Sequence, residues 1–204
     1  IQAVLANRKK LSAELNLPSE PVWLDQVHSN KVIQADQVPV EADVQPQADA
    51  SVSSRAGSVC VVLTADCLPV FFCNKQGTEV AVAHAGWRGL HAGILSNTID
   101  AMQSPVEDIL VSLGPAIGPR VFEVGSEVYQ AFTDKSQQNK TAFTATDEEH
   151  YLCDIYQLAR LEVLEKGVSA IAGGEHCTFE ESQLFYSYRR QQSTGRIASL
   201  IWFE

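Results

Sequence analysis

Residues 63–90 constrain this chain more than any other stretch. They read LTADCLPVFFCNKQGTEVAVAHAGWRGL. Two apolar runs, 68–73 and 80–83, flank the polar turn Asn74-Lys75-Gln76-Gly77, the pattern of a β-hairpin. A turn centred between Lys75 and Gln76 sets Cys67 directly opposite His84. Opposed residues have Cβ atoms roughly 5 Å apart. Zinc holds sulfur at about 2.3 Å and imidazole nitrogen at about 2.0 Å, so one ion can bridge such a pair. Pro69 opposes full pairing of an inner strand at that point.

The rest of the chain reads as one α+β domain over residues 1–204, with a mixed β-sheet core and surrounding helices. Val4, Leu5, Leu11 and Leu15 mark an amphipathic helix over 2–16, ended by Pro18 and Pro21. Strands are expected at 22–24, 31–35, 58–63, 109–113, 168–172 and 197–203, with helices at 90–102, 124–132 and 154–165. The central strands should form a three-strand meander. Residues 36–50 read as a polar surface loop, and 133–149 as a polar, mobile one. The chain begins at Ile1, and the expectation is that a segment precedes it.

Charge and cysteines narrow the function classes. The net charge of −10 argues against a nucleic-acid surface and against binding anionic membranes, while a few arginines can still make a local anion pocket. No apolar run approaches the roughly 20 residues of a membrane span. Five cysteines without scaffold spacing point to a reducing, cytoplasmic setting. The sequence names no protein partner.

Five histidines are present: His28, His84, His91, His150 and His176. No CxxC, HxH or HExxH motif joins them, so spacing alone does not establish a metal site. Cys60 and Cys73 lie in apolar runs as packing residues. Cys67, at a strand end after Thr64-Ala65-Asp66, is a candidate thiolate ligand or nucleophile. Asp66 beside it is either an acid/base or a turn-capping residue. Trp87 is a packing residue unless the site uses it. Arg88 and the pair Arg189-Arg190 are candidate phosphate binders or ordinary surface charges.

Several motifs then share an order: QVHSNKV at 26–32, LTADCLPV at 63–70, AVAHAGWRGL at 81–90, LGPAIGP at 113–119, FEVG at 122–125 and YRRQQSTGRIASLIW at 188–202. Together they resemble the YfiH-type laccase-domain family, whose members are described as purine nucleoside phosphorylases and were formerly called multicopper polyphenol oxidases. The resemblance implies a single α+β domain with a metal ion, usually zinc, held by His28, Cys67 and His84. It implies cleavage of adenosine, inosine and methylthioadenosine with phosphate, and in some members deamination of adenosine. The family also carries a threonine-arginine segment and a glycine-rich turn before its first helix; this sequence does not contain them.

Four functions compete for these residues: a purine enzyme that phosphorolyses and also deaminates, a laccase, a binding domain and a hydrolase. Phosphorolysis needs cationic phosphate binding, for which Arg88 and Arg189 are candidates, and an acid near the departing purine, for which Asp66 is one. Cys67 and His84 would lie at the reacting centre. Three protein ligands leave one zinc position open, and a water there, its pKa lowered toward about 7, suits attack on C6 of adenine. A laccase needs a trinuclear copper cluster fed by HxH pairs, which this chain lacks, although one copper ion suits the Cys/His/His set. A zinc-stabilised, non-enzymatic binding domain would need a fourth ligand, such as His176 or Cys177. A hydrolase with Cys67 as nucleophile and His84 as base would be metal-free.

Overall fold

The structure is a computed structural model that describes residues 2–39 and 44–204. It is α+β. Helix α1 (Gln2–Glu14) precedes strands β1 (Val32–Gln34), β2 (Ala50–Ser53), β3 (Cys60–Thr64), β4 (Leu68–Asn74) and β5 (Val80–Ala85). Helices α2 (Trp87–His91) and α3 (Ile94–Ala101) follow, then β6 (Ile109–Leu113), β7 (Glu123–Gly125) and α4 (Ser126–Lys135). The chain closes with β8 (Phe143–Ala145), β9 (His150–Cys153), α5 (Ile155–Glu165), β10 (Ala170–Gly173) and β11 (Ile197–Ile201).

A six-stranded mixed sheet runs β1-β2-β5-β4-β6-β10, with parallel pairs at both edges and antiparallel pairs between. The expected meander does not form, because β3 leaves this sheet and pairs antiparallel with β11. Strand alternation then sorts the core. Leu68, Val70 and Phe72 of β4 and Ala81, Ala83 and Ala85 of β5 face α3 and α5, burying Ile94, Leu95, Ile155 and Leu158 against them. Each fully buried large side chain here contributes about 1.5–3 kcal/mol. The opposite face packs Phe71 and Val82 against Cys60 and Val62 of β3. His84 shares its strand face with Val82, and Cys67 precedes Pro69 and Phe71 on the matching face of β4.

The hairpin pairs Pro69 with His84, so its turn centres between Gln76 and Gly77 and Cys67 is not directly opposite His84. A shift of two residues keeps every side chain on its face, so Cys67 and His84 become diagonal neighbours. Pro69 is tolerated because pairing with β6 begins only at Val70. The helix expected over 90–102 starts at Trp87 and breaks at Gly93, whose φ of 88° ends α2 and starts α3. The helix expected over 124–132 starts at Ser126, after a short strand.

Helix α1 forms as expected but is not amphipathic in use. It buries no residue; Val4, Leu5 and Leu15 are about half exposed, and Arg8 lies 3.9 Å from the Trp23 ring. Of residues 22–24 only Val22 pairs, in an isolated bridge to Cys60, so no strand forms there. The polar stretch 133–149 holds a 3-10 helix (Gln137–Ala142) and β8, so it is not an open loop. The described part of 36–50 is not wholly surface, because Ala48, Asp49 and Ala50 are fully buried; residues 40–43 lie outside the described residues. All five cysteines are free.

Candidate metal centre

His28, Cys67 and His84 converge. Their ligand atoms all lie within 4.8 Å of one another, the one such cluster of three among the described residues. Cys67 Sγ is 3.8 Å from His28 Nε2, and the two imidazole rings meet edge-on with centroids 4.8 Å apart. A tetrahedral ion with bonds of about 2.0–2.3 Å sets its ligands roughly 3.5 Å apart, so this donor set fits one zinc or copper ion after a small contraction.

Each candidate ligand is placed by a local device. The turn carrying His28 is pinned to β3 by Gln26, whose amide donates to the Leu63 carbonyl at 2.9 Å and accepts from the Leu63 N–H at 2.7 Å. His28 itself has φ of 60°, a left-handed conformation that is uncommon outside glycine and recurs at functional sites. Cys67 follows Asp66, whose φ of 92° turns the chain into β4. Gly86 is a space requirement rather than a conformational one. A Cβ there would come within 2.9 Å of the His28 ring and 3.0 Å of Cys67 Sγ.

Asp49 organises the site from behind, and nothing in its sequence context marks it. Its carboxylate accepts from His84 Nδ1 at 2.8 Å, from the backbone N–H groups of Val27, His28 and Ser29 at 3.3, 3.0 and 2.6 Å, and from Ser29 Oγ at 2.7 Å. It is fully buried. Burial opposes its charge, but the bonds from His84 and Ser29 prevail and hold its pKa down to about 2. A carboxylate on Nδ1–H fixes the His84 tautomer and leaves Nε2 for a metal ion.

The same balance governs the ligands. Burial disfavours the Cys67 thiolate, yet the neighbouring imidazoles of His28 and His84 lower its pKa to about 6. Burial likewise disfavours the His84 imidazolium, but Asp49 and the Cys67 sulfur raise its pKa to about 9. Between about pH 6 and 9 the metal-free pair is therefore thiolate and imidazolium. We predict that metal capture by this pair displaces one proton from His84 in that window, a second from Cys67 below it, and none above it. Calorimetric titration in buffers of different ionisation enthalpy measures this; proton release from the pair that does not vary with pH would contradict it.

Two cavities meet at the cluster and share His28, Ala65, Cys67 and Tyr188. One, of about 290 Å³, is lined further by Asp66, Trp87, Arg88, Ile117, Phe122, Ile155 and Arg189. The other, of about 550 Å³, is lined by Leu24, Gln26, Leu63, Thr64, His84 and Arg196. The Arg88 guanidinium stacks 4.3 Å from the Trp87 ring and has no protein acceptor among the described residues. Arg189 donates to the Glu123 carbonyl at 3.1 Å. Thr64 is buried and its hydroxyl has no hydrogen-bond partner among the described residues. Thus the structure gathers six of the sequence candidates, Asp66, Cys67, His84, His28, Arg88 and Arg189, around one centre. Arg190 is turned to the backbone carbonyls of Thr178, Phe179 and Phe185 instead. His176 pairs with Glu181 at 3.0 Å, and Cys177 Sγ accepts from the Gly118 N–H at 3.2 Å, so neither is in the cluster.

A mixed sheet carrying a two-histidine, one-cysteine centre at the mouth of its hairpin defines a class, and the whole chain fits it. Residues 1–204 match the family described as multi-copper polyphenol oxidoreductase laccase, and the chain belongs to that family. It is 53% identical over 196 residues, 96% of this chain and 79% of the other, to a protein of Escherichia coli (strain K12) named purine nucleoside phosphorylase YfiH. A Pseudomonas aeruginosa protein also named purine nucleoside phosphorylase is 48% identical over 204 residues, 100% of this chain and 81% of that one. Among solved structures, a Neisseria meningitidis protein superposes with a TM-score of 0.94 at 45% identity, covering 100% of this chain and 82% of that one. The hypothetical protein YfiH of Bacillus licheniformis gives 0.93 at 28% identity, with the same coverages.

Proposed function

We propose that this chain is a zinc-dependent purine nucleoside phosphorylase that cleaves adenosine, inosine and methylthioadenosine with phosphate. Deamination of adenosine is a side activity in this reading, and the setting is cytoplasmic, in keeping with five free cysteines. The observation that carries the reading is the pair of cavities meeting at the metal centre. Phosphorolysis must hold phosphate beside C1′ of the bound nucleoside, so two compartments with a common junction suit it. The names of the relatives support the same chemistry.

In this reading Arg88 and Arg189 bind phosphate in the smaller cavity. Its walls of Trp87, Ile117, Phe122 and Ile155 exclude water and strengthen the attraction. The larger cavity takes the nucleoside. His28, Cys67 and His84 would hold the ion, which would supply positive charge at the junction. Asp49 keeps His84 Nδ1 protonated so that Nε2 stays a ligand atom. Asp66, the sequence candidate for the acid, borders the phosphate side with each oxygen already accepting a bond.

A copper-dependent polyphenol oxidase is the alternative, and the description of the family favours it. Only one three-ligand cluster exists among the described residues, which supports a single ion rather than a trinuclear set. The absence of a fourth protein ligand in that cluster, among the described residues, favours an open site over a closed structural one. The test is release of adenine or hypoxanthine from nucleoside by zinc-loaded protein, with and without phosphate. The expected result is saturable dependence on phosphate, with its KM raised about tenfold or more by Arg189→Gln or Arg88→Gln. Release that ignores phosphate contradicts the reading.

A further inference from the structure

The loop between β10 and β11 walls both cavities with Tyr188, Arg189 and Arg196. It has no helix and, apart from a bridge between Cys177 and Ala116, no strand pairing. Such a loop needs side-chain anchors to present an arginine reproducibly. Arg190 ties the loop to itself, donating to the carbonyls of Thr178, Phe179 and Phe185 at 2.7, 2.7 and 2.6 Å. Those bonds shape the loop but do not attach it to the metal centre.

The attachment is Asp66. Its Oδ1 accepts from Thr178 Oγ1 at 2.7 Å, and its Oδ2 accepts from the Arg189 N–H at 2.7 Å. Its own carbonyl accepts from the Ile117 N–H at 2.9 Å, so a third segment joins at the same residue. Asp66 is nearly buried and Thr178 fully so. Each carboxylate oxygen accepts from a donor of the loop, so the carboxylate is engaged at both oxygens in holding it. Arg189 is then held at both ends, by Asp66 at its backbone and by the Glu123 carbonyl at its guanidinium.

We propose that Asp66 is a positioning residue, which ties the Thr178 and Arg189 segments to the Cys67 turn and so aims Arg189 at phosphate. The choice of phosphate rests on the phosphorylase reading; the tie itself does not. Asparagine can keep the tie, because its carbonyl can accept from the Arg189 N–H while its amide donates to the Thr178 hydroxyl. Glycine removes the tie without the strain that alanine would meet at a φ of 92°.

The experiment compares wild type, Asp66→Asn, Asp66→Gly and Thr178→Val as zinc-loaded proteins. It reads phosphate KM, nucleoside KM, kcat, and hydrogen exchange at the Arg189 amide. Asp66→Gly should raise phosphate KM about tenfold and exchange by at least as much, with kcat changed less than about threefold. Thr178→Val should shift both in the same sense, by about threefold, and Asp66→Asn should stay near wild type. If asparagine costs kcat as much as glycine with phosphate KM unmoved, Asp66 is an acid and the proposal fails. It also fails if Thr178→Val changes neither readout, and this second criterion applies even where the glycine variant does not fold. If wild type shows no phosphate-dependent turnover, the phosphorylase reading falls, while amide exchange still decides the tie.

Discussion

Cys67→Ala abolishes metal binding and lowers phosphate-dependent base release on the order of 1,000-fold or more, while the protein stays folded. In the proposed site the thiolate is one of three ligands, and two imidazoles alone hold zinc poorly. It also balances charge. Without it, the imidazolium raised by Asp49 and Cys67 loses one of its two partners. The fold survives because Cys67 lies just outside β4, beyond the paired positions that begin at Leu68. Metal content by elemental analysis, circular dichroism and the base-release assay check all three parts together. A variant that keeps its ion, or that loses it and still turns over, contradicts the assignment.

Asp49→Ala has the second large effect, and it falls on stability as well as on the metal. The mutation strands the His84 imidazole in a buried site and leaves three backbone N–H groups of the His28 turn without their acceptor. Breaking a buried, hydrogen-bonded charge pair costs about 3–5 kcal/mol, and loss of a partner behind a ligand costs about 10–100-fold in metal affinity. The pH dependence follows from the sign of the shift. Asp49 has a folded pKa of about 2, below its unfolded value of about 3.9. Its contribution, about 2 kcal/mol, is thus fully present above about pH 4 and lost as pH falls toward 2. Denaturant titrations of metal-free wild type and variant at pH 7 and pH 3 test both statements. Curves that differ equally at the two pH values would show that the charge on Asp49 is not the source.

The three candidate ligands were legible in the sequence for an uneven set of reasons. The hairpin runs placed Cys67 and His84 on one face, and an error of two residues in register did not matter because side-chain direction repeats every two. His28 came only through motif resemblance, since nothing in its spacing links it to a strand 56 residues on. Asp49 escaped because it sits in a polar, proline-containing stretch that reads as surface. Its burial comes from partners brought in by the fold: the His28 turn and the parallel run of β1 beside β2. The departure of β3 to pair with β11 was equally hidden, because that pairing joins segments more than 130 residues apart. Helix α1 shows the reverse failure. Its apolar residues repeat at helical spacing, yet none is buried, so periodicity gave the helix and not its packing.

The most direct test of the central claim is to identify the product of inosine with the zinc-loaded protein by phosphorus NMR. Phosphorolysis predicts a ribose 1-phosphate resonance that grows in step with hypoxanthine and is absent from metal-free protein. Hypoxanthine with free ribose, or no cleavage by protein carrying a full equivalent of zinc, would contradict it.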